Sequence, residues 1–119
     1  MENDIEIVHV GKYTEICACD EKGAGNANHV YVINTVEKPA RLLGQVLFQN
    51  GAIQESGVNG VMNEDLLAIV IHRLQGFQSG DFKCRENAIA LTKCEEAMLW
   101  LNKRTSDREK RGVEGKSIV

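Results

Sequence analysis

Three arginines near the C-terminal end, Arg104, Arg108 and Arg111, recur at i, i+4 and i+7. On a helix this spacing puts them on one face, spread over about 10 Å of axis at 1.5 Å per residue. Arginine offers forked N–H donors that match phosphate oxygens, so such a row suits a diphosphate or a phosphodiester. It also suits a plain solvated helix end: cations are favoured near a helix C-terminus, and Asp107 stands where it could pair with Arg111. The stretch that follows, Gly112-Val113-Glu114-Gly115, has two glycines three apart. It predicts a defined turn rather than a frayed end, and so favours the binding reading.

The other chemistry-bearing candidates are weaker. Asp20 to His29 reads DEKGAGNANH, polar and glycine-rich with no large apolar residue. It is either a long hairpin loop or a ligand-facing loop whose backbone N–H groups are open to a polar group. Asn26, Asn28 and His29 are its candidate side chains. Cys17, Cys19 and His29 could in principle supply three zinc ligands, but a one-residue gap between cysteines is not the usual zinc-knuckle spacing. Cys17 and Cys19 would share a strand face, and Cys84 and Cys94 would both fall within a helix. All four read as small buried hydrophobes kept as reduced thiols. His9, His29 and His72 are scattered, and no Ser–His–Asp or Cys–His order stands out. There is no P-loop and no dinucleotide fingerprint. With no general base nominated, hydrolysis of a ligand is disfavoured, and neither a metal nor a cofactor is expected.

The elements that must carry these residues fall into two halves, 1–59 and 60–119. The first half predicts an antiparallel sheet of four or five strands. Ile5 to Val10 alternates in polarity, Tyr13 to Cys19 follows a compact Gly11-Lys12 turn, and Val30 to Val36 is β-branched and aromatic. Gln45 to Gln49 and Ala52 to Glu55 flank Asn50-Gly51, a strong hairpin signal because a type I′ turn needs positive φ at both central residues. Leu42-Leu43 is either a helical turn or the start of a strand. The second half predicts a helical hairpin. Asn63 caps a first helix with Leu67, Val70, Ile71 and Leu74 at helical spacing, and Gly76 ends it. Phe77 and Phe82 flank a tight turn, in which Ser79 or Asp81 can cap the next helix.

That second helix runs from about Phe82 to about Lys110, on the order of 40 Å. A compact chain of this size has a radius of gyration of only about 13–14 Å, so part of the helix must project or pack on another chain. It carries two stripes: Cys84, Ala88, Leu91 and Met98, and the mostly small Ala90, Cys94, Ala97 and Leu101. The first helix can cover one. The other needs the sheet or a second subunit, and small residues favour close approach of a subunit. The fold class is therefore α+β, a sheet followed by a helical hairpin with a long second helix.

Composition bounds the partners. The chain has 119 residues and a formal net charge of −3. That disfavours non-specific nucleic-acid binding, so no DNA partner is expected, and it disfavours a polybasic membrane mode. No run of 18 apolar residues occurs, and Met1–Asp4 is acidic and polar rather than signal-like, so the chain reads as soluble and intracellular.

The run NEDLLAIVIHRLQGFQSGDFKCRENAIALTKCEEAMLWLNKRTSDREKRGVEG, with CRENAIALTK and RTSDREKRGVEG as its specific segments, resembles the helical hairpin domain of small phage proteins that sequester immune signals. That domain occurs in anti-defence sponges acting against Thoeris immunity and against cyclic-oligonucleotide (CBASS) immunity. The β-rich half ahead of the hairpin is similar to the Thoeris branch. The resemblance implies a non-enzymatic sponge that works in the host bacterial cytoplasm. It would bind a cyclic ADP-ribose isomer, glycosyl-linked cyclic ADP-ribose, as a homodimer or higher homo-oligomer such as a hexamer, in pockets shared between subunits. It also implies a second site for cyclic tri- or dinucleotides in some members. Carried over by the resemblance, the ligand-binding residues are Phe82, Arg85, Asn87, Thr92, Arg104, Arg108 and Arg111, with Phe77 and Asn28 as further candidates. The arginines would meet the diphosphate and a phenylalanine would stack on adenine. Arg85 and Asn87 could equally cap or brace the helix. A competing reading is an adaptor that binds a host protein through its apolar helix face.

Overall fold

The computed structural model describes residues 5–119, and Met1–Asp4 lies outside them. The chain divides into two compact units, the first ending at Val61 and the second spanning Met62–Val119.

The first unit is a four-stranded antiparallel sheet in the order β1 (Glu6–Val10), β2 (Thr14–Ala18), β3 (Val30–Thr35) and β4 (Leu42–Leu47). Strand alternation sorts its side chains onto two faces. Ile7, Cys17, Val32 and Gln45 stand in register on one, and Ala18, Tyr31 and Val46 on the other. The second face holds the best-covered residues: Ala18 is 1 % exposed and Thr35 is buried. The Tyr31 ring meets Phe48 edge to face, centroids 5.6 Å apart. An irregularity between Ile7 and His9 breaks the β1–β2 register, a device that makes an edge strand a poor template for further pairing. Leu42 opens β4, so the Leu42-Leu43 pair belongs to a strand.

The hairpin expected at Asn50-Gly51 does not form. Gly51 has φ 93°, but Asn50 is not among the positive-φ residues, so the type I′ geometry is missing. Instead Ile53–Ser56 makes a one-turn helix, α1, closed by Gly57 N–H donating to the Ile53 carbonyl at 2.8 Å. Side-chain amides satisfy the backbone that a fifth strand would have paired. Asn50 N–H donates to Asn59 Oδ1 at 2.8 Å, Asn59 Nδ2 returns to the Asn50 carbonyl at 2.8 Å, and Gln49 Nε2 donates to the Gly57 carbonyl at 2.7 Å. The chain then re-enters beside β4 as a single parallel bridge, Phe48 to Val61. Gly60 is what lets it approach: a Cβ there would overlap the Phe48 carbonyl and come within 2.6 Å of Gln49 N.

The second unit is the helical hairpin of α2 (Asn63–Gln78) and α3 (Arg85–Lys110). Its ends differ from the sequence expectation. Met62 rather than Asn63 is the N-cap residue, and its N–H donates to Asp65 Oδ2 at 2.8 Å. Gly76 lies inside α2, which continues to Gln78, because the Ser79 N–H still finds the carbonyls of Gln75 (3.1 Å) and Gly76 (3.2 Å). The long helix starts at Arg85, three residues later than Phe82. Its cap is Cys84, not Ser79 or Asp81: the Cys84 sulfur accepts the Asn87 N–H at 3.4 Å, and Gln78 Oε1 accepts the Cys84 N–H at 3.0 Å.

The two expected stripes of α3 also merge into one. Asn87, Leu91, Cys94, Met98, Leu101, Thr105 and Arg108 are the half-buried residues that step 4-3-4-3 along it, the alternation of a coiled-coil seam. Leu67, Ile71 and Leu74 are the corresponding half-buried residues of α2. Neither helix has a fully buried residue. The hairpin therefore covers one face of each helix and leaves large apolar side chains outside, among them Leu99 (68 % exposed) and Trp100 (71 %).

Candidate ligand-binding site

The candidate residues of the hairpin fall into two groups at opposite ends of α3. At its start, Phe82 projects from the turn and is 77 % exposed. Arg85 and Thr92 are exposed and seven residues apart, two turns along one face. Asn87 is half-buried and its N–H is spent on the Cys84 cap. Phe77 is not an open platform, because the Arg73 guanidinium lies 5.0 Å from its ring centroid. Phe82 is thus the better stacking surface of the two.

At the other end, Arg104 is exposed and makes no ion pair or side-chain hydrogen bond among the described residues. Arg111 donates from Nη2 to the Val119 carbonyl. Arg108 is half-buried and gives two bonds from Nη2, to the carbonyls of Val113 (3.0 Å) and Lys116 (2.9 Å). The helix closes with Gly112 at φ 75°, Gly112 N–H on the Glu109 carbonyl and Val113 N–H on the Arg108 carbonyl, both at 3.0 Å. This paired pattern satisfies carbonyls that would otherwise repel an anion at a helix C-terminus. Asp107 does not pair with Arg111. It takes the Lys103 ammonium at 2.7 Å, and that hydrogen bond holds its carboxyl below the usual range.

Arg85 and Arg104 are about 28 Å apart along the helix axis, and Thr92 and Arg104 about 18 Å. One small ligand cannot meet both groups of a single helix.

Asn28 lies in the first unit, in the glycine-rich loop, and serves that loop: its Nδ2 donates to the Asp20 carbonyl at 2.6 Å. The loop's organiser is Asp20, which the sequence reading passed over. Its carboxylate accepts the N–H groups of His29 (2.9 Å) and Val30 (3.1 Å). Burial pushes the Asp20 carboxyl up, but these donors outweigh it and hold it below the usual range. Asp preceding a turn and bonding backbone nearby is a known local signal, but here the partners are nine and ten residues on, beyond what such a signal predicts. Asn26 sits at φ 64° inside a single 3-10 turn over Ala24–Asn26. His29 is buried, with Nε2 3.0 Å from the Ala24 carbonyl. Cys17 has its thiol pushed up by burial and then by Glu15, which disfavours a ligating thiolate. Among the described residues no group of three His, Cys, Asp or Glu is placed to hold a metal ion. A shallow cavity of about 340 Å³ opens beside Lys12, Tyr13, Thr35, Glu37 and Arg41 at one end of the sheet, and holds none of the candidate residues.

Comparison with known proteins places the hairpin. The family described as the Acb2/Tad1 hairpin domain matches residues 44–106, from within β4 to near the end of α3. The matched stretch includes Phe77, Phe82, Arg85, Asn87, Thr92 and Arg104, and stops short of Arg108 and Arg111. A protein of Bacillus phage SBSphiJ7 named Thoeris anti-defense 1 is 59 % identical over 91 residues, 76 % of this chain. The chain spans 61 % of that relative's length. A matched stretch that covers more than half of the sequence, and a relative 59 % identical over 76 % of it, lead to one conclusion: this chain belongs to the Acb2/Tad1 hairpin-domain family.

Proposed function

We propose that this protein is a phage anti-defence sponge. It binds glycosyl-linked cyclic ADP-ribose without degrading it, in the cytoplasm of the host, and so blocks Thoeris signalling. The kinship with a Thoeris anti-defense protein supports the biological setting. The observation that carries the mechanism is the split of the candidate groups along α3. Two chains whose long helices run antiparallel bring the Phe82–Thr92 end of one against the Arg104–Arg111 end of the other. A diphosphate then meets guanidinium donors while adenine stacks on Phe82, a contact worth about 1–3 kcal/mol per base. Sequestration needs donors, a ring and closure over the ligand, and no general base.

The same pairing accounts for the hairpin's exposed apolar side chains. A fully buried Leu contributes about 1.5–3 kcal/mol, and the hairpin has no such residue of its own. A homodimer or higher homo-oligomer supplies the missing burial. Binding of cyclic tri- or dinucleotides at a separate site belongs to this proposal as a second ligand class.

The test is to incubate protein with ligand, denature it by heat and analyse the supernatant by mass spectrometry. Recovery of intact ligand in stoichiometric amounts is expected, and a hydrolysed product overturns the sponge. A second reading, an adaptor for a host protein, draws on the exposure of Leu99 and Trp100. It predicts no uptake of any cyclic nucleotide in calorimetry.

A further inference from the structure

We infer that Gln78 is a positioning residue of the ligand site: its side chain spans the hairpin turn and fixes the backbone that presents Phe82. This rests on the ligand-binding reading above and adds one residue to it. Gln78 is the last residue of α2, and Cys84 is the N-cap of α3. Gln78 Oε1 accepts the Cys84 N–H at 3.0 Å. The turn's own backbone bonds are longer. Gly80 N–H reaches the Phe77 carbonyl at 3.3 Å, and Lys83 N–H reaches the Gly80 carbonyl at 3.4 Å. Both exceed the usual N–H to oxygen range of about 2.7–3.2 Å, in which the Gln78 bond lies. The side chain is thus a firmer tie across residues 79–84 than these backbone contacts. Cys84 is itself extended, at φ −156° and ψ 164°, and its sulfur accepts the Asn87 N–H at 3.4 Å. It is held from both sides, by α2 through Gln78 and by the first turn of α3 through Asn87.

Phe82 lies two residues before that fixed point. Its ring is 77 % exposed, so packing does little to aim it, and its direction comes from the backbone of the turn. A ring on a backbone already fixed gives up less freedom when a base stacks on it. The bond uses Oε1 alone, so the test has to separate a brace from a direct ligand contact made by Nε2. The experiment is a cycle on the full chain with Gln78→Met, Phe82→Ala and the pair, read by calorimetry with glycosyl-linked cyclic ADP-ribose. In parallel, amide hydrogen exchange at Cys84 is followed by NMR in the free protein, with Gln78→Glu as the variant that keeps an oxygen at the same reach. Gln78→Met is expected to speed Cys84 exchange by up to about tenfold, as loss of one ordinary hydrogen bond implies. It is expected to bind about three- to tenfold more weakly, the size of ordering one side chain on binding. Gln78→Glu is expected to keep the wild-type exchange. On a Phe82→Ala chain, Gln78→Met is expected to cost nothing further, because the brace acts through that ring.

An equal loss from Gln78→Met with and without the Phe82 ring would mean that Gln78 does not act through it, and would overturn the assignment. So would unchanged affinity in Gln78→Met, Cys84 exchange that stays slow without the amide, or fast exchange in Gln78→Glu. A wild-type chain that binds no ligand refutes the function proposed above instead, while the exchange at Cys84, measured without ligand, still decides whether Gln78 braces the turn.

Discussion

Arg104 and Phe82 provide the sharpest test of how the ligand is held. Arg104 sits in the exposed middle of α3's last turns with no internal partner, so Arg104→Ala removes nothing from the fold. Alanine is the stronger helix former, which leaves helix stability unchanged or slightly raised. Any loss of affinity then measures the ligand contact. A hydrogen bond to a charged group contributes about 1.5–3 kcal/mol, so the variant should bind roughly 10- to 150-fold more weakly. Phe82→Ala, at a 77 % exposed position, should lose about 1–3 kcal/mol of stacking by the same logic. The two residues are 22 positions apart, with α3 between them, so the shared-pocket proposal makes a further demand. In a heterodimer of one Arg104→Ala chain and one Phe82→Ala chain, one pocket collects both defects and the other collects neither. Random reassortment of two-fold symmetric dimers then restores about a quarter of the high-affinity sites. The assay is calorimetry on the two variants refolded together, against each alone, with circular dichroism confirming equal helicity. Wild-type affinity in Arg104→Ala, or no restored sites in the mixture, would refute the arrangement.

Three further outcomes are expected. Light scattering should find more than one copy per particle, with Trp100→Glu shifting the population towards monomer; a strict monomer at high concentration contradicts the shared pocket. Gly60→Ala forces a Cβ against the Phe48 and Gln49 backbone, which has no flexible side chain to give way. It should lower the stability of the sheet unit by about 1–3 kcal/mol in denaturant melts. Asp20 supplies the pH dependence: its folded pKa lies below the unfolded value, so its contribution is complete above that unfolded value, about 3.9. The contribution is lost as pH falls through the depressed folded pKa. Thermal melts between pH 7 and pH 3 should therefore show an acid-side loss in the wild type that Asp20→Asn flattens, and equal slopes would mean that the His29 and Val30 contacts are not energetic.

The local rules that read well from sequence are those in which one residue type meets one backbone demand. The β-branched run Val30–Thr35 and the apolar periodicity after Met62 each report a covered or half-covered face directly, and together with the alternation of Glu6–Val10, whose side chains stay exposed, they yielded the sheet, the hairpin and its long second helix. Gly112 was legible for the same reason, since a helix ending in two spaced glycines needs positive φ. Boundaries were less legible, because caps are a competition between neighbours. Cys84 displaced Ser79 and Asp81 once Gln78 reached its N–H, and Gly76 stayed helical because Ser79 closed the next turn.

Long-range pairing is what only the tertiary structure decided. Asn50-Gly51 lost its hairpin because Asn59, nine residues away, satisfied the backbone with a side-chain amide. No short-range signal records such a partner. The arginine row shows the same limit at the candidate site. Spacing alone put Arg104, Arg108 and Arg111 on one face as equals. The seam against α2 and the folded-back terminal segment made them unequal: two backbone carbonyls hold Nη2 of the half-buried Arg108, whereas Arg104 is exposed.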